Sequence, residues 1–233
     1  SIISYAFTEM LNNAIEHSAS EKIEMAVRKT PTDIRFTVLD RGVGIFNNIL
    51  QKKKLSSAMD AIQDLLKGKE TTAPDAHSGE GIFFTSKIAD RLIIRSFEKM
   101  IVFDNVDQDI YVKDIPTMRG TRIDFVLNLK SAKTLSDLFN RYTDDSFQFS
   151  KTDVKVKLYQ QGIDYVSRSQ ARRILAGLEK FKSVQLDFAN VATVGQAFAD
   201  EIFRVWQKGH PDIKIEAKNC NENILFMINR AGR

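Results

Sequence analysis

One cysteine, one tryptophan, three histidines and four prolines among 233 residues leave several chemistries without their parts. Cys220 alone can close no intrachain disulfide, and beside the scattered His17, His77 and His210 it builds no zinc framework. A lone thiol fits a reducing compartment, so the expected location is the cytoplasm. No apolar run approaches the roughly twenty residues that a membrane-crossing helix needs. The opening Ser1-Ile2-Ile3-Ser4-Tyr5 lacks the basic start of a signal peptide. Excess charge is also scarce: Lys and Arg outnumber Asp and Glu by 34 to 30, a net +4 with pI near 9.0. The only dense basic spots, Lys52-Lys53-Lys54 and Arg172-Arg173, are not interleaved with aromatics and read as solvated surface, so nucleic acid is not indicated as a partner. What is present is 43% hydrophobic and 27% charged residues, a globular composition long enough for two domains.

The first seventeen residues hold the most information. Ile3, Phe7, Met10, Leu11, Ala14 and Ile15 follow the spacing of a helix with one apolar face, and Glu9, Asn13 and His17 recur one turn apart beside it. Lys22–Arg28 and Ile34–Asp40 alternate apolar and polar around Thr30-Pro31-Thr32-Asp33, which predicts a hairpin. Leu55, Met59, Ile62, Leu65 and Leu66 mark one short helix, capped by Ser57 and stopped by Gly68. Its flanks are polar and turn-rich, so residues 45–78 read as a mobile lid with few buried contacts. A helix over Gly81–Asp90 follows. Then come four β-branched runs, Leu92–Phe97, Met100–Val106, Ile110–Ile115 and Arg122–Leu129, with turns at Glu98-Lys99 and Val106-Asp107-Gln108. The expected architecture is an α+β sandwich with a mostly antiparallel sheet.

Phosphoryl transfer needs oxygen ligands for magnesium, donors around the phosphates and a group to orient the nucleophile. Asn13 offers an amide oxygen, and Glu9 is placed to take a proton. Asp40 ends a strand just before Gly42-Val43-Gly44, where its carboxylate can accept from an amino group. Ser78-Gly79-Glu80-Gly81 leads into a helix, where bare N–H groups and the helix dipole meet phosphate without a Cβ in the way. Glu9, Asn13 and His17 alone would be a solvated helix edge, and Asp40-Arg41-Gly42-Val43-Gly44 alone a tight turn. The elements in this order, each in its required context, favour a nucleotide site.

Over residues 1–129 this arrangement resembles the GHKL superfamily of ATP-binding domains. Thr8–Ala14 stand as the N box, Asp40–Gly44 and Ser78–Ile82 as two glycine boxes, and Gly120-Thr121 as the strand opening near adenine. The resemblance implies ATP and magnesium as ligands, with Glu9 as general base and Asn13 as the magnesium ligand. It makes Asp40 and Thr121 the adenine contacts, with Gly42, Gly44, Ser78, Gly79 and Gly81 around the nucleotide and His17 lining the pocket. Glutamate at the base position is similar to the anti-sigma-factor serine kinases and GHKL ATPases. The family has one or two strands ahead of this helix, whereas this chain starts inside it, which implies a fragment or a strand supplied from elsewhere. No phosphoacceptor histidine or dimerisation hairpin precedes the helix, so an autonomous histidine kinase is not expected.

The domain is expected over residues 1–130, a helical linker over 131–146 with Leu135–Tyr142 as its helix, and a smaller α/β domain over 147–233. In the last, Val154–Tyr159, Val184–Phe188 and Ile213–Ala217 read as strands. Arg168–Phe181, capped by Ser167 and Gln170, Gln196–Trp206 and Asn221–Ile228 read as helices. Val184–Phe188 with Gly195-Gln196-Ala197-Phe198 resembles the STAS fold of anti-anti-sigma factors, whose phosphorylated serine loop has no hydroxyl counterpart here. Thr193 is expected at the end of a buried run. The combined expectation is an ATP-binding regulatory protein acting in signalling or transcription control through ATP-dependent contacts with a protein partner on its C-terminal domain. A serine/threonine kinase of anti-sigma-factor type or a slow ATPase would suit Glu9. The alternatives are a non-catalytic ATP-sensing module or a fragment of a DNA-binding regulator.

Overall fold

The structure is a computed structural model that describes residues 1–67, 81–142, 153–158, 165–179 and 181–232. The chain divides into two compact units, Ser1–Phe139 and Asn140–Arg233.

In the first unit, α1 (Ile2–His17) is capped by Ser1, whose hydroxyl accepts from the Ser4 amide. Its buried line is Ala6, Met10 and Ala14. Ile15, expected on the apolar face, is exposed, because the buried line of the helix runs through Ala14, one residue away. The hairpin forms as expected from β1 (Ile23–Lys29) and β2 (Asp33–Asp40), with Met25 opposite Val38 and Val27 opposite Phe36. Phe36 and Val38 are buried beneath α1, whereas Met25 and Val27 on the outer strand are not.

Two helices, not one, follow the first glycine turn: α2 (Ile45–Lys52) and α3 (Ala58–Leu66). Ser57 caps α3 by accepting from the Asp60 amide. The missed helix explains a second correction. Phe46, Ile49, Met59, Ile62, Leu65 and Leu66 are all buried, so this part of the lid is anchored in the core rather than sparsely held. Gly68 and the rest of the lid to Ser78 lie outside the described residues.

After α4 (Gly81–Ile88) the four expected runs fuse into two long strands, β3 (Arg91–Asp104) and β4 (Asp109–Asn128). Glu98-Lys99 is not a turn. The chain passes through a bulge there, with Phe97 at φ +55, and the ladder resumes at Lys99 opposite Asp114. Pro116, which cannot donate to a ladder, falls in the skipped stretch of β4 and beyond the part that pairs with β2. The antiparallel sheet runs β1-β2-β4-β3. Phe36 and Phe125 stack at 4.6 Å in its centre, and Phe7 from α1 meets Phe36 edge-on at 5.3 Å. Aromatic pairs of this kind contribute about 0.5–1.5 kcal/mol beyond the area they bury. Helix α5 (Leu135–Tyr142) forms where expected, and its Phe139 packs on Tyr5 and Phe84.

In the second unit, β5 (Asp153–Lys157), β6 (Ser183–Asp187) and β7 (Lys214–Lys218) form a parallel sheet in the order β5-β6-β7. The Ser167–Gln170 capping box opens α6 (Arg168–Leu175). That helix is shorter than expected, since Gly177 at φ +79 ends it. Gln196–Asp200 (α7) runs on through a π-helical stretch over Glu201–Trp206 into Gln207–Gly209. Asn221 caps α8 (Glu222–Ala231), accepting from the Ile224 amide while its own amide donates to the Val191 and Ala192 carbonyls.

Candidate nucleotide site

Asp40 is the last residue of β2 and only 4% exposed. Its Oδ1 accepts from the Gly42 amide at 2.9 Å and from the Thr121 amide at 3.2 Å. Burial raises its pKa above the ordinary carboxylate value, against the opposing pull of those donors. The first glycine turn explains itself locally. A Cβ on Gly42 would lie 1.7 Å from the Ser18 carbonyl oxygen, and Gly44 stands at φ +79. Only glycine lets this loop close on the end of α1, where the Val43 amide donates to the same Ser18 oxygen at 2.8 Å.

Thr121 closes the other side. Its hydroxyl oxygen accepts from the Ile45 amide at 2.9 Å, tying β4 to the start of α2. At the far end, a Cβ on Gly81 would fall 2.2 Å from Glu9 Oε2, so the carboxylate lies directly against the first residue of α4. The structure therefore brings together Asp40, Gly42 and Thr121 at one end and Glu9 and Gly81 at the other. Asn13 is half-buried one turn along from Glu9, and its side chain makes no hydrogen bond to another described residue. His17 is half-buried, and its carbonyl accepts from Asn48 Nδ2 at 2.7 Å. Ser78 and Gly79 lie outside the described residues.

Three residues that support the site escaped sequence reasoning. Ser96 donates its hydroxyl to the Gly120 carbonyl at 2.8 Å, and Ser18 receives the glycine turn. Asn48 is buried, with its Oδ1 unpartnered among the described residues. Their only signal is a small polar residue placed inside an apolar pattern.

In the second unit, Asp187 at the end of β6 accepts from the Ala189 amide and from Asn219 Nδ2. Gly195 caps α7 and Gln196, Ala197 and Phe198 lie in its first turn, so this segment is helix and not loop. Thr193, expected in a buried run, is exposed in the connection before Gly195. The correction has a simple cause: Val191 and Val194 turn inward, and the two residues between them turn out.

Residues 1–103 match the family model of the histidine kinase-like ATPase domain. Residues 170–225 match that of a STAS-like domain of unknown function. The chain thus joins a GHKL-type ATPase domain, with its mostly antiparallel sheet, to a smaller STAS-like domain, and an ATPase domain of this kind implies ATP binding. Among solved structures it is similar to the 43K ATPase domain of Thermus thermophilus gyrase B, crystallised in complex with an aminocoumarin. That similarity is 15% identity and a TM-score of 0.34 over 60% of this chain, which spans only 38% of that one. No curated protein matches. Among the described residues, no helix is long and apolar enough to cross a membrane, and no group of three or more His, Cys, Asp and Glu gathers as a metal site.

Proposed function

We propose that the first unit binds magnesium-ATP between Asp40 and Glu9, and that its nucleotide state sets the contacts of the STAS-like unit with a protein partner in signalling or transcription control. The observation that carries this reading is the pinned carboxylate of Asp40. With Oδ1 held by two backbone donors, Asp40 would offer Oδ2 as an acceptor to an amino group, the chemistry that distinguishes adenine from guanine. Thr121 would supply the second base contact, His17 would line the pocket, and Gly42, Gly44, Ser78, Gly79 and Gly81 are the glycine-box positions around the nucleotide. Asn13 would hold magnesium, which supplies charge neutralisation on the phosphates. Glu9 is the base that takes the proton of an attacking hydroxyl or water as it adds to the terminal phosphorus and the ADP oxygen departs, giving a serine/threonine kinase or a slow ATPase. Isothermal titration with ATP and ADP, with and without magnesium, followed by a phosphate-release assay, tests the reading. Absence of ATP binding under all conditions sinks it.

Two consequences can be measured directly. Asn13→Ala is expected to lose the magnesium-dependent part of ATP affinity while keeping the metal-free part. Equal affinities for the two proteins in magnesium would remove Asn13 from the site. ATP is also expected to slow hydrogen exchange within the lid at 45–78. Inside α3 the gain should be smallest, because buried helices already exchange slowly. Identical exchange across 45–78 with and without ATP would mean that the segment does not respond to the ligand.

A further inference from the structure

The outer strand β1 presents an apolar row that no described residue covers. Met25 is 53% and Val27 61% exposed, although both lie on the same face as the buried Val38 and Phe36 opposite them. Among the described strands its backbone pairs with β2 alone. The turn bond from the Thr30 amide to the Asp33 carbonyl makes that pair hydrogen-bonded. Alternation along the ladder then directs the N–H and C=O of Glu24, Ala26 and Arg28 towards β2. Those of Ile23, Met25, Val27 and Lys29 point outward, away from the sheet. An open edge with exposed apolar side chains is a template for another strand.

We propose that β1 pairs with β1 of a second copy of this chain, antiparallel about a two-fold axis at Ala26. The charge pattern selects this occupant and this register. About that axis Glu24 faces the partner's Arg28, and Arg28 the partner's Glu24. On the other face Met25 and Val27 meet the partner's Val27 and Met25. Every outward backbone group of Ile23, Met25, Val27 and Lys29 then meets an outward group of its mate, as the antiparallel pattern demands. Sliding the strands by two residues in one direction sets Arg28 against Lys22, and in the other it leaves Glu24 and Arg28 without an opposite charge. A parallel arrangement sets Glu24 beside Glu24. The two-fold arrangement is isologous and closed, and it joins two four-stranded sheets into one. The Glu24–Arg41 ion pair of the single chain is exposed on both sides and leaves Glu24 free to share.

Sedimentation equilibrium tests this with charge reversal. The parent is expected to dimerise. Glu24→Arg and Arg28→Glu each place like charges opposite each other twice per interface and are expected to raise the dissociation constant about tenfold or more. The double variant, and an equimolar mixture of the two single variants, restore opposite charges and are expected to recover dimer. Ala26→Cys in a Cys220→Ser background is expected to cross-link across the axis on oxidation. All substituted β1 positions are exposed, so the variants should keep their fold, which far-UV circular dichroism checks. A parent that stays monomeric at every concentration overturns the proposal and leaves the edge to a different strand. A dimer indifferent to both single reversals, or a mixture that fails to recover, also overturns it.

Discussion

Asp40→Asn is expected to lose ATP binding by about tenfold or more while melting at least as high as the parent at neutral pH. The amide oxygen of asparagine can still accept from Gly42 and Thr121, so the turn keeps its hydrogen bonds. Its other atom becomes a donor, which would confront the adenine amino group with another N–H and leave a buried pair unmatched, at a cost of about 1–3 kcal/mol. Stability moves the other way. The folded pKa of Asp40 lies above the unfolded one. Between those values the folded state holds the extra proton, so stability falls as pH rises through that window and the ionised group opposes folding at pH 7. Asparagine removes that cost. Thermal unfolding from pH 4 to 7 should show a flatter profile for the variant. Calorimetry should show ATP preferred over GTP in the parent and the preference lost in the variant. An asparagine variant that binds ATP as tightly as the parent would strip Asp40 of its role in base recognition.

Gly120→Ala is expected to cost roughly 2–4 kcal/mol of stability, from overpacking together with an unfavourable backbone conformation. Gly120 stands at φ +81, and a Cβ there would lie 2.1 Å from the Asp40 carbonyl oxygen and 2.7 Å from the Arg41 Cα. Those neighbours are backbone, so neither can swing aside. The residue also precedes Thr121, whose amide reaches Asp40, so ATP affinity should fall along with stability. Gly209→Ala is the control. Nothing lies within 4 Å of its Cβ position, and the change should leave urea unfolding nearly unaltered. Equal midpoints for Gly120→Ala and the parent would show that the turn relaxes without consequence.

How far the sequence could be read depended on whether the deciding force was local. The Ser57 cap, the Ser167–Gln170 capping box and the Thr30–Asp33 turn are set by neighbouring residues, and each was found in place. The long strands were not legible. Glu98-Lys99 looks like a turn, but the β3–β4 ladder on either side holds the chain extended and reduces the irregularity to a bulge. Helix α2 was hidden because Ile45–Lys52 has a glycine at its cap and asparagines in its middle, while its stability comes from burying Phe46 and Ile49. At the site, the glycines showed where backbones must approach. They could not show that the surface approached by Gly42 would be the carbonyl of Ser18, twenty-four residues earlier.

That junction has a further consequence. Ser18 and His17 at the end of α1 receive the Val43 amide and the Asn48 side chain, so the helix is latched to the turn that follows Asp40. From this latch α1 runs straight back through Asn13 to Glu9, eight residues on, a span of about 12 Å at 1.5 Å per residue. If the proposed site holds, the helix would work as a ruler, zeroed at the adenine end and graduated in turns, with Glu9 as its far mark. Length along one rigid rod, rather than contact with the last phosphate alone, would then tell a triphosphate from a shorter nucleotide.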